Sequence, residues 1–124
     1  YVSAHRGEGW GVPQVEAALA GNAVISTDYA GCHEYFSDQE MRKLPYTLVP
    51  LKGMVHASNL YTAEQKWADV QIDDVRAAMR WAVDNPEERS VMGDAGQQRV
   101  SKSFNFKVVG DALAERLKQI EEEL

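Results

Sequence analysis

The stretch EGWGVPQVEAALAGNAVISTDYAG, residues 8–31, decides how this chain folds. A glycine-rich turn, Gly9-Trp10-Gly11, runs into Val12-Pro13. Proline is tolerated there because the first N–H groups of a helix have no partner within it. Val15, Ala17, Ala18 and Leu19 give the next segment helical character, and Gly21-Asn22 is a C-terminal stop. Ala23-Val24-Ile25-Ser26-Thr27 is short, β-branched and free of charge, the composition of a buried strand. Tyr1-Val2-Ser3-Ala4, ahead of the glycine loop, reads as the end of another strand. Strand, loop, helix and strand in so short a span make a βαβ unit and require a parallel sheet.

Working outward, Asp28 to Gly31 is loop and Cys32 to Phe36 a short helix. Residues 46–50, Tyr-Thr-Leu-Val-Pro, are the candidate third strand, with Pro50 at its end or on an edge. The expected fold is α/β, a partial Rossmann-like parallel sheet of about three strands over residues 1–51. Tyr1–Ala4 lies centred between the other two strands or at an edge. Residues 52–72 show no clean periodicity and read as an irregular excursion. Residues 73–124 are helical. Val75, Ala78, Met79, Ala82 and Val83 form one apolar stripe. Asn85-Pro86-Glu87-Glu88 starts a helix to about Ser101, and Asn105 caps a last one striped by Val109, Leu113, Leu117, Ile120 and Leu124.

The bulk properties narrow the function classes. At 124 residues, 44% hydrophobic and 26% charged, the chain is one domain or part of one. A net charge of −6 argues against a general nucleic-acid binder. One cysteine, Cys32, excludes an intrachain disulfide and fits a reducing compartment. No apolar run approaches the ~18 residues of a membrane span, and the first residues lack the apolar region of a signal peptide. The expectation is a soluble, cytoplasmic protein with no transmembrane segment.

In open parallel sheets, ligands bind beyond the carboxyl ends of the strands, where the His5–Gly11 and Asp28–Cys32 loops should meet. Gly9 and Gly11 allow close backbone approach, and the helix beginning near Val12 aims free N–H groups and a positive dipole end outward, an anion site suited to phosphate. Glu16, about one turn into the helix, can accept hydrogen bonds from two vicinal hydroxyls such as those of a ribose. Diphosphate over the helix start and hydroxyl-bearing ends near Glu8 and Glu16 describe a nucleotide-sugar.

Glu8 to Thr27 resembles the E-G-[FW]-G-L-P-x-x-E-A-M-A-x-G-x-P-V-I-x-T signature of the donor-binding domain of retaining GT-B glycosyltransferases of the family-four group. Glu8 and Glu16, with seven residues between them, match that group's E-x7-E element. The similarity continues at Tyr29-Ala30-Gly31 with Glu34, Leu48-Val49-Pro50, Trp67-Ala68-Asp69, Asn85 to Arg89 and Arg116-Leu117. It leaves out roughly residues 37–45 and 52–66. Asn22-Ala23 replaces the usual Lys-Pro, and Gly31 stands alone where the family often has a glycine pair. The resemblance implies that Glu8, Gly9, Trp10, Gly11 and Val12 line the donor sugar and diphosphate and that Glu16 holds the ribose. It implies no metal and no cofactor, the nucleotide-sugar being a substrate. It also implies that the chain starts at about the fourth strand of the donor domain. Acceptor domain, phosphate-binding Arg and Lys, and a complete catalytic set would then lie outside it.

Other readings of these residues stay open. Both glutamates fit a solvated loop and helix face. Gly9-x-Gly11 is a weak dinucleotide fingerprint, since Gln14 occupies the place of the third glycine. His5 and Arg6 suit either a phosphate contact or a polar rim, and Cys32-His33 reads as loop rather than metal or nucleophile. Trp67 and Trp81 read as packing residues. Two functions follow: a glycosyltransferase donor-binding piece, inactive alone, or a non-enzymatic binding or assembly module reusing the half-domain. The open edge of the first strand and the stripe of the last helix favour a homodimer in either case.

Overall fold

The computed structural model describes residues 1–52, 60–61 and 64–123. The expectations for Leu124 and for the rest of the 52–72 excursion lie outside the described residues. The order of elements is β1 (Val2–Ser3), α1 (Val12–Leu19), β2 (Val24–Thr27), α2 (Gly31–Tyr35), β3 (Met41–Leu44), β4 (Thr47–Pro50), β5 (Lys66–Asp69), α3 (Ile72–Asp84), α4 (Pro86–Ser103) and α5 (Phe106–Glu123).

The fold is α/β, with a three-stranded parallel sheet in the order β1-β2-β3 and helices on both faces, a partial Rossmann-like arrangement. All four residues of β2 are buried, as its uncharged sequence predicts for a central strand. Because successive side chains point to opposite faces, β2 feeds two cores. Val24 packs with Val15 and Ala18 of α1, Met41 of β3 and Val100 of α4. Ile25 packs with Leu44 of β3 and Ala78 of α3. Helix α1 ends as Gly21-Asn22 predicts: the Gly21 and Asn22 amides donate to the carbonyls of Ala18 and Ala17, a Schellman closure.

The third parallel strand is not 46–50. Met41–Leu44 takes that place, with Met41 opposite Val24 and Leu44 opposite Thr27. Its two central residues are charged, and an edge position accommodates them. The Arg42 guanidinium stacks 4.7 Å from the centre of the Trp81 ring, and Lys43 reaches the Asp28 carboxylate at 3.4 Å. The 47–50 segment is a strand in a separate antiparallel pair, with Thr47 opposite Asp69 and Pro50 opposite Lys66. Strand β5 therefore lies within the stretch that reads as irregular in the sequence.

This hairpin is tied to the loop after β1. The Ala68 amide donates to the Arg6 carbonyl at 2.8 Å, the Arg6 guanidinium meets Asp69 at 2.6 Å, and the same guanidinium covers the Trp67 ring. At the α3–α4 corner, Asn85 holds the N-cap position, but its side chain turns back to donate to the Trp81 carbonyl at 2.9 Å. It closes α3 rather than opening α4. Asn105 does cap α5, accepting from the Val108 amide at 3.0 Å.

No residue of α5 is buried. Asn105→Ala should therefore fray the first turn of α5 without weakening the core. Loss of a cap costs about 1 kcal/mol, so amide exchange at Val108 should quicken about fivefold while the melting temperature stays unchanged. Hydrogen-exchange NMR reads the first and scanning calorimetry the second.

Candidate functional site

Strands β1 and β2 end side by side, so the loops leaving them are neighbours, as the parallel register demands. Thr27 donates its hydroxyl to the His5 carbonyl at 2.8 Å, stitching the two loops at their roots. Farther out they touch backbone to backbone. A Cβ on Gly31 would overlap the Gly9 carbonyl oxygen and stand 2.7 Å from the Trp10 Cα, so only glycine allows this approach. The Tyr35 hydroxyl donates to the Trp10 carbonyl and locks the crossing. The Trp10 ring rests edge-on against Phe104 at 5.3 Å and tilted against Tyr35 at 5.6 Å. Its side chain thus braces the turn.

Gly11 precedes α1 with φ +87°, a left-handed conformation suited to glycine, and no side chain caps the helix start. The first turn of α1 carries no acid. An uncapped helix start beside a glycine turn leaves N–H groups and the positive dipole end for an anion.

Two cavities flank this turn. One, of about 580 Å³, is lined by Glu8, Gly9, Trp10, Ala30, Gly31, Glu34, Tyr35, Arg99, Ser103 and Phe104. The other, of about 540 Å³, is lined by Arg6, Gly7, Glu8, Tyr29, Ala30, Leu51, Tyr61, Lys66 and Trp67. Glu8 belongs to both, and its carboxylate accepts from the Gly9 amide at 3.0 Å. Of the candidate residues, Glu8, Gly9 and Trp10 come together in one cavity, with Gly11 buried beneath them and Val12 exposed at the helix start. Glu16 is exposed on α1 and lines neither cavity. Arg99, Phe104, Lys66 and Trp67 were not singled out by sequence for this site, because each comes from a distant element.

Beneath the turn lies a buried polar cluster. Gln14, 1% exposed, donates weakly to the hydroxyls of Ser3 at 3.4 Å and Ser26 at 3.5 Å. The Cys32 thiol lies 3.6 Å from His5 Nε2 and 3.9 Å from the Ser26 hydroxyl. Burial pushes the Cys32 thiol up and His5 down, the latter against the pull of Glu8. A protonated thiol beside a neutral imidazole is a packing pair, not a poised nucleophile. His33 belongs elsewhere: its Nδ1 meets the Asp28 carboxylate at 2.6 Å. Among the described residues, no three His, Cys, Asp or Glu side chains gather to hold a metal. No described helix is long and apolar enough to cross a membrane.

No family model matches the chain, and a search of curated proteins gave no match.

The lowered His5 value fixes a pH dependence. A group whose folded pKa lies below its unfolded value of 6.5 binds more protons unfolded, so stability is full above that value and falls as pH drops through it. The melting temperature should decline as pH drops below about 6.5. His5→Gln should flatten that decline, as scanning calorimetry of both proteins would register.

Proposed function

We propose that this chain is the donor-binding portion of a retaining GT-B glycosyltransferase of the family-four group. It binds a nucleotide-sugar. The observation that carries the reading is the uncapped start of α1, placed behind the Gly9-Trp10-Gly11 turn at the carboxyl end of the parallel sheet. Glu8 stands beside it where two cavities meet. The helix start attracts diphosphate, and Glu8 accepts hydroxyl hydrogen bonds from the sugar. Glu16 accepts from the ribose on the exposed face of α1. Arg99, whose Nε donates to the Tyr35 carbonyl at 3.1 Å, lines the cavity shared by Glu8, Gly9 and Trp10, and Arg6, tied to Asp69, lines the other. The reading places the protein in the cytoplasm, where a buried free thiol at Cys32 needs no partner.

Calorimetry against a panel of uridine, guanosine and adenosine diphosphate sugars tests it. Weak binding is expected. Glu16→Gln keeps the shape but removes charge-assisted acceptance worth roughly 1.5–3 kcal/mol per bond. Affinity should fall tenfold or more with an unchanged melting temperature. Equal binding by the variant removes the ribose role, and no binding across the panel removes the reading.

A second reading, a binding or assembly module acting as a homodimer, has its own support. Among the described residues, strand β1 is an open edge, and beside it runs an apolar groove of about 580 Å³ along α3, walled by Ile72, Val75, Met79 and Val83. Leu113 and Leu117 of α5 are 60% and 53% exposed. Apolar surface on an unpaired edge is a template for another chain. A dimer using it should bury at least ~1,000 Å². Light scattering that finds only monomer at tens of micromolar would overturn the dimer.

A further inference from the structure

We propose that Ala30 is the size-limiting residue of the ligand site: its methyl group restricts the sugar beside Glu8 to one without a bulky substituent. The inference rests on the nucleotide-sugar reading above and names a specificity determinant within it.

Ala30 has φ +64° and ψ −152°, and no other described residue except glycine has a positive φ. That region is essentially reserved for glycine, because a Cβ there crowds the backbone. Such strain persists only where the surroundings leave the chain no alternative. They do so here. The Ala30 carbonyl accepts from the His33 amide at 3.0 Å, which begins α2. Behind it, the Tyr29 carbonyl accepts weakly from the Cys32 thiol. Ahead of it, Gly31 is pressed against the Gly9–Trp10 backbone and cannot shift. The strained residue is therefore wedged between fixed points.

Its position gives the methyl a role. Glu8 and Ala30 are the two described residues that line both cavities. A ligand reaching from one cavity into the other passes Glu8 and Ala30. Trp10 and Tyr35 line the cavity on one side and Tyr29 and Trp67 the cavity on the other. Hydroxyls fit against Glu8, whereas an acetamido group needs the volume the methyl takes. Glycine at this position would be the relaxed choice, and it would leave the passage wider.

The test compares the wild-type chain with Ala30→Gly. Relief of strain outweighs the extra freedom of unfolded glycine, so the melting temperature should rise by about 3 °C or more. In calorimetry the wild type should favour UDP-glucose over UDP-N-acetylglucosamine, and the variant should narrow that preference about tenfold. An unchanged ratio in a stabilised variant overturns the size-limiting role, as does a wild type with no preference. A lowered melting temperature overturns the strain on which the role depends. Binding of neither uridine nucleotide to either protein overturns the proposal. The other nucleotide-sugars of the panel then decide separately whether the donor-binding reading falls too.

Discussion

Strand β2 is hydrogen-bonded on both edges and covered on both faces, and the rest of the fold is arranged around that requirement. A strand with Val24 on one face and Ile25 on the other needs two apolar layers. Helices α1 and α4 supply one and α3 the other. Its parallel pairing with β1 forces a crossover helix between them, which brings the start of α1 to the sheet's carboxyl end. Ser26 and Thr27 carry hydroxyls into this interior, and each is used: Ser26 with Gln14 and Cys32, Thr27 with the His5 carbonyl. The same strand that builds the core therefore anchors both loops of the candidate site.

Much of this was legible because the βαβ signals are local. The Gly9-Trp10-Gly11 turn, the Val12–Leu19 helix and its Gly21 stop each follow from a few adjacent residues. The third strand was not legible, for a physical reason. Met41-Arg42-Lys43-Leu44 looks polar, and only the distant partners Trp81 and Asp28 make its charges acceptable on an edge. Thr47–Pro50 looks like a sheet strand by composition, yet it is mostly exposed and pairs with Lys66–Asp69, inside the stretch that reads as irregular. Asn85 was legible as a position but not as a contact, since a side chain between two helices can serve either one.

The candidate site divides the same way. Glu8 and the glycine turn are read from one short motif. The walls around them come from Lys66, Trp67, Arg99 and Phe104, whose proximity no local pattern encodes. Ala30 was visible only as a missing glycine; what that absence means is a matter of dihedral angles. The pairing of Cys32 with His5 rather than with the adjacent His33 makes the same point, because chain neighbours on α2 face different surroundings.

Helix α5, with none of its residues buried, has a thermodynamic consequence. Cooperative unfolding is transmitted through shared buried surface, and this helix shares almost none. Its opening free energy is set by helix propensity, the Asn105 cap and pairs such as Lys107–Asp111, none of which exceeds a few tenths to about 1 kcal/mol. The chain therefore behaves as two stability units. The described residues up to Phe104 melt together, and α5 follows a broad helix–coil equilibrium of its own. The denaturant slope of the main transition measures the smaller unit and falls short of the value expected for the full chain length.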